Sequence, residues 1–260
     1  MSARRKFGMA TAAILVAALL MGGAFAWRDF SQAATNIFHS AAMNDVLLHD
    51  DFTPEENKDV YVENTGDAPV YVRIQLAEFL QIGNEVLIGG SAKDTGSYVP
   101  FDYNKATITR DANKDISIPA NDYYTWEMTG DKKIYLPGVS EVADITYDKT
   151  GILGGNGQYT DWTLDSTDII LMSEWSANNK KADDDATKVT YPACWILDDT
   201  ADGNGWAYWS EALGAGNTTN MLLDNVSKTK NPEDNSLYAI DVRLQAANQT
   251  ELAEFLKTGD

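Results

Sequence analysis

The chain has 260 residues, 20 Lys+Arg against 39 Asp+Glu, two His, one Cys and a formal net charge of −19. That length supports one large domain or two modest ones, and a composition with 44% hydrophobic and 10% aromatic residues excludes disorder of the whole chain. The acidity argues against nucleic acid as a partner and against docking on anionic lipid, and a single cysteine excludes an internal disulfide and a multi-cysteine zinc site.

Residues 1–26 differ from everything after them. Arg4, Arg5 and Lys6 form a basic head, residues 9–21 are an uninterrupted apolar run, and small residues follow. This is the order of a secretory signal peptide, with Ala24 and Ala26 where a signal peptidase reads them and cleavage expected before Trp27. The other reading is an uncleaved anchor, because residues 7–27 carry no charge over a length that spans a bilayer; membrane contact is then expected only through this leader. Cleavage removes three basic residues and no acid, which leaves 17 basic against 39 acidic residues and a net charge of −22. Such a chain stays soluble outside the cell and is suited to cations or basic surfaces. Export without disulfides fits secretion by a Gram-positive type of bacterium.

Residues 27–44 form a separate N-terminal segment, and part of 31–48 is expected to be helical. From residue 45 onward, strand signals dominate. Residues 60–63, the turn Asn64-Thr65-Gly66-Asp67 and residues 69–76 read as two strands around a tight turn. In the second strand Val70, Val72, Ile74 and Leu76 alternate with Tyr71, Arg73 and Gln75, the period of a half-buried strand. Residues 238–245 repeat the design and share Val-Arg-x-Gln with it, so the two are expected to be neighbours in one sheet. Between them lie short candidates at 106–109, 116–118, 123–128, 133–136, 188–197, 206–211 and 219–223, while 166–175 suits strand or helix equally. Turn residues punctuate them regularly, which predicts an all-β fold: a jelly-roll or Ig-like β-sandwich spanning 45–260, with irregular insertions and a few short helices. Residues 93–186 hold most of the loop-like sequence and are expected to elaborate the sandwich. Residues 250–257 (TELAEFLK) suit a short C-terminal helix.

No catalytic constellation stands out, and the chain is not expected to be an enzyme. Two histidines, His39 and His49, cannot build an HExxH zinc site, and no Gly-x-Ser-x-Gly elbow is present. Both are expected to be exposed or cap-like. Cys194, between Ala193 and Trp195, reads as a core thiol, and the Trp and Tyr residues read as core and inter-sheet packing or as a sugar platform. Asp198, Asp199, Asp202 and Asn204 place hard oxygen ligands in a Gly-containing loop, as Ca²⁺ prefers. The same residues also suit an ordinary hairpin turn between 195–197 and 206–208.

Three segments carry a family resemblance: Gly22 to Phe30 (GGAFAWRDF), Val62 to Arg73 (VENTGDAPVYVR) and Trp206 to Thr219 (WAYWSEALGAGNTT). In that order they resemble the cleavage region, the Asn-x-Gly turn with its strand, and the aromatic strand with Leu-x-x-Gly-x-Thr-Thr of the SipW-dependent exported proteins of Firmicutes. That family includes the TasA, camelysin and BsaA-like biofilm matrix proteins. The Pro-Gly usual before Thr-Thr is Ala215-Gly216 here. The resemblance implies a secreted subunit, processed by a dedicated signal peptidase, that self-associates into extracellular fibres by donor-strand complementation. The donor would be 27–44, with Trp27, Phe30, Ile37 and Phe38 as apolar anchors. The alternatives are that 27–44 folds back as the domain's own first strand or helix, and that the protein is an extracellular module binding glycans or calcium. A metalloprotease activity, also described in that family, has no zinc motif to rest on here, and no sortase motif predicts covalent wall anchoring.

Overall fold

The computed structural model describes residues 32–34, 46–53, 57–90, 97–111, 116–128, 133–134, 145–146, 160–161, 169–231, 235–250 and 252. Its larger sheet runs β1 (Gln32–Ala34), β17 (Ser236–Ala247), β4 (Tyr71–Ile82), β15 (Trp206–Trp209), β14 (Trp195–Leu197) and β13 (Ile169–Leu171). The short strands β5 (Glu85–Ile88) and β6 (Val99–Pro100) add to β4 beside β15. The second sheet runs β2 (Val46–Thr53), β3 (Asn57–Asn64), β16 (Leu223–Lys228), β9 (Tyr124–Glu127), β8 (Ile116–Pro119) and β7 (Thr109–Arg110). A third, small sheet holds β10 (Lys133–Ile134), β12 (Thr160–Asp161) and β11 (Ile145–Thr146). The one helix among the described residues is α1 (Met172–Asn179).

The two large sheets share one core, as an all-β sandwich requires. Val60 and Val62 from one side meet Ile74, Leu76 and Val242 from the other, with Trp126 and Trp195 fully buried between them. Tyr124 of β9 stacks on Tyr238 of β17 with ring centroids 3.8 Å apart, and Trp126 Nε1 donates to Tyr238 Oη at 2.7 Å. Strands β8 and β9 lie inside the region expected as an elaboration, yet they belong to the second sheet itself. The described strands β10, β11 and β12 pair only with one another.

The expected pairing of the two Val-Arg-x-Gln strands is present: β4 and β17 run antiparallel over twelve residue pairs, from Ser236 opposite Ile82 to Ala247 opposite Tyr71. The half-buried pattern is not. Beyond the inward Val72, Ile74 and Leu76, the outward Arg73, Gln75, Ala77 and Phe79 are buried too. Phe79 lies against Tyr98 at 5.3 Å, and Arg73 lies under Trp206 with its Cζ 4.3 Å from the ring centroid. A strand flanked on both edges and covered on both faces does not need a polar side.

Three local expectations meet different outcomes. Residues 60–63 and 69–76 do not form a hairpin, because β3 lies in the second sheet and β4 in the first; the turn between them crosses the sandwich. Of 31–48, expected to be partly helical, the described residues are strand at 32–34 and from 46 onward, where β2 pairs with β3 along its whole length; 35–45 lie outside the described residues. In the ambiguous stretch 166–175, the described residues are both structures in succession, strand at Ile169–Leu171 and then helix. Leu171 is extended (φ −81, ψ 147), and α1 starts after it. The Glu174 carboxylate returns to accept the Leu171 N–H at 3.3 Å. Of the C-terminal helix, only Thr250 and Leu252 are described, the latter helical.

Candidate functional site

Strand β17 is the last long strand before the edge of the larger sheet. Its inward side chains Tyr238, Ile240, Val242, Leu244 and Ala246 are buried in the core. One edge is used in full by β4. On the other, among the described residues, strand pairing covers only Val242–Leu244, which meet Gln32–Ala34 in parallel: Gln32 opposite Val242, Ala33 opposite Arg243 and Ala34 opposite Leu244. The partner on this edge therefore comes from within the predicted donor segment 27–44, here in the same chain. Trp27, Phe30, Ile37, Phe38 and His39, and the cleavage residues Ala24 and Ala26, lie outside the described residues.

The shared motif explains how the β17 backbone is fixed. Antiparallel pairing sets Arg73 opposite Gln245 and Gln75 opposite Arg243, so each arginine meets the glutamine of the other copy. Arg73 Nε and Nη2 both donate to Gln245 Oε1, at 2.8 and 2.5 Å, and its Nη1 donates to Tyr208 Oη at 3.3 Å. Burial pulls the Arg73 guanidinium below its ordinary value, against the raising effect of Tyr208. Arg243 Nε donates to Asp241 Oδ2 at 2.9 Å on the same outer face.

The second and third resemblance segments dock onto one another. Asn64, fully buried, ends β3. Its Nδ2 donates to the carbonyls of Ala68 (2.8 Å) and Leu213 (2.9 Å), and its Oδ1 accepts the Gly66 N–H at 3.0 Å. Its backbone N–H reaches the Asn217 carbonyl at 2.9 Å, and its carbonyl accepts the Gly216 N–H at 2.8 Å. Val70 and Leu213 exchange both backbone bonds, and the Thr219 hydroxyl accepts the Val62 N–H at 3.0 Å. The Asn-x-Gly turn and the Leu-to-Thr stretch are thus two halves of one sheet-to-sheet corner.

The residues proposed for calcium form the loop of the β14–β15 hairpin, in which Leu197 pairs with Ala207. Asp198 Oδ1 accepts both the N–H (3.1 Å) and the hydroxyl (2.6 Å) of Thr200. Asp199 instead reaches α1, accepting from Ser173 N (2.9 Å) and Oγ (2.6 Å). The Asn204 carbonyl accepts Gln75 Nε2 at 2.6 Å. The described residues contain no group of three or more His, Cys, Asp or Glu placed to share a metal. Gly205 closes the loop at φ 72°, and a Cβ there would lie 2.3 Å from the Phe101 carbonyl oxygen. Gly205→Ala is therefore expected to cost about 3 kcal/mol, through left-handed strain together with a backbone clash. A stability within about 0.5 kcal/mol of the parent by urea unfolding, the ordinary scatter of surface substitutions, would contradict this geometry.

Two clusters have no counterpart in the sequence reading. His49, expected to be exposed, is buried: it stacks on Tyr61 across β2 and β3 (centroids 4.4 Å, interplanar angle 5°) and its Nε2 lies 2.9 Å from Glu63 Oε2. The strand period that points Leu48 into the core turns His49 the other way, onto Tyr61, and that alternation is the signal the sequence offers. The other cluster surrounds Glu78, the one acid in β4, which takes hydrogen bonds from Asn121 Nδ2 and from Tyr238. Desolvation pushes its carboxyl up to about 7 despite those two bonds. Cys194 is fully buried, as expected of a core thiol.

Comparison of the chain with protein-family models, with curated proteins and with solved structures finds no match in any of the three.

Proposed function

We propose that the chain is an exported, non-enzymatic structural subunit that self-associates into extracellular fibres by strand addition at the outer edge of β17. The observation that carries this reading is the pairing of Gln32–Ala34 with Val242–Leu244. Among the described residues, parallel pairing covers three positions of a twelve-residue strand whose inward side chains belong to the core. An edge of that kind is a template for a strand from another chain. The segment 27–44 of a neighbouring copy offers the same residues, together with the apolar anchors Trp27, Phe30, Ile37 and Phe38. The leader and the charge of the mature chain support export and solubility outside the cell.

The test is filament formation by protein beginning at Trp27, followed by electron microscopy, with and without residues 27–38. Loss of filaments on deletion is expected; undiminished polymerisation would overturn strand addition. Because each mature copy carries a net charge of −22, elongation should also quicken between about 0.01 and 0.15 M salt, as the screening length falls from roughly 30 to 8 Å.

A further inference from the structure

Helix α1 lies on the outer face of the larger sheet, where Met172 and Trp175 pack against Ile170, Cys194 and Ile196. Beside it opens a groove of about 500 Å³, whose lining includes Tyr71, Trp175, Ile196, Asp198, Tyr208 and Leu252. That volume lies within the range of ligand sites, and four of the ten lining residues are aromatic: Tyr71, Trp175, Tyr208 and Trp209.

Both walls are held by polar anchors outside the groove. The Tyr208 hydroxyl takes its hydrogen bond from Arg73, which is itself buried, clamped by Gln245 and covered by Trp206. The start of α1 is pinned by Asp199 on Ser173, and its first turn by the ion pair of Glu174 with Arg110 at 3.0 Å. Rings positioned before a ligand arrives reduce the ordering cost of binding. The placement of these rings is not explained by strand addition at β17, which uses the backbone edge of a different strand.

We propose that this groove binds a non-acidic polysaccharide, with pyranose rings laid on Tyr71, Trp175 and Tyr208. A pyranose presents a C–H face that packs on an aromatic ring and a rim of hydroxyls that need acceptors. Asp198 supplies a carboxylate on the groove wall with Oδ1 held by Thr200. Charge decides the class of sugar. A mature chain at −22 with an aspartate in the groove repels uronate and phosphate polymers, and accepts neutral or amino sugars. Sugar binding by the groove stands independently of whether the protein forms fibres.

The experiment is calorimetric titration of the complete mature chain with cellohexaose, chitohexaose and fully de-N-acetylated chitohexaose, with an alginate oligomer as the acidic control. Saturable binding of at least one of the first three is expected, weakened at least tenfold by Trp175→Ala and by Tyr71→Ala and largely restored by Trp175→Phe. Tryptophan emission of the unmodified chain should change on titration, and that change should be at most half as large in Trp175→Phe, where Trp209 is the tryptophan left in the lining, a readout that does not depend on an alanine variant folding. Binding of none of the three would overturn the proposal, and so would a groove filled by the chain's own C-terminal residues, which would exclude the sugar in the same titration. Affinity unchanged by both alanine variants, or alginate binding as tightly as the others, would also overturn it.

Discussion

Asn64→Ala is expected to destabilise the protein by about 3 kcal/mol, which for a chain of this size lowers Tm by roughly 10 °C. Three side-chain bonds disappear together, to Ala68, Leu213 and Gly66. Each is worth about 1 kcal/mol net, and the side chain that makes them is fully buried, so water does not replace them freely. The Leu213 carbonyl keeps its bond from the Val70 N–H at 3.1 Å, which limits the loss. Asn64→Asp separates hydrogen bonding from shape. It retains the acceptor for Gly66 but turns a carboxylate oxygen toward two carbonyl oxygens, so it should be at least as destabilising as alanine at neutral pH. It should recover as the carboxyl protonates in acid. Urea unfolding of the two variants at pH 4 and pH 7 checks both statements. An aspartate variant as stable as the parent at pH 7 would show that the corner does not depend on the amide.

The pairing of β4 with β17 is legible in the sequence because each strand carries its own period-2 pattern and the same Val-Arg-x-Gln segment. What that motif does is not legible there. Arg73 meets Gln245, and Gln75 sits opposite Arg243, only once the antiparallel register is set, and register depends on the whole length of both strands. The chemistry of the turn at Asn64 is equally readable, yet its place in the fold is not. Asn-Thr-Gly suits a hairpin, but Asn64 is satisfied by Leu213, 149 residues away, and that distant partner sends the chain across to the other sheet. The burial of His49 follows from the alternation of β2, which directs it onto Tyr61, and not from its residue type, which favours the surface. For the donor segment, composition points to 27–44, and three of its residues indeed lie on the edge of β17. The aromatic groove cannot be read from the sequence at all. Tyr71, Trp175 and Tyr208 come from β4, α1 and β15, and only their packing on one face brings them together.

Glu78→Gln is expected to stabilise the protein above pH 7 by about 3 kcal/mol and to leave it nearly unchanged at pH 4.5. The ordinary carboxyl value of 4.5 applies to the unfolded chain, whereas desolvation raises the folded value to about 7. The native state therefore holds this proton more tightly than the unfolded state. Its contribution to stability is complete below pH 4.5, declines as pH rises through that window and is lost above 7, with each pH unit between the two values worth about 1.4 kcal/mol. Glutamine has no charge to desolvate, and its carbonyl can still accept from Asn121 and Tyr238. The tyrosines packed around Glu78 do not titrate in the window: burial holds Tyr124 at about 12 and Tyr238 well above the ordinary range. The rest of the acidic chain titrates alike in both proteins, so the difference between parent and variant isolates this one carboxyl. Urea unfolding at pH 4.5, 6 and 8 should give a stability gap that opens with pH. A gap of constant size would place the Glu78 carboxyl in water, against its position beside Tyr238 in the wall between the sheets.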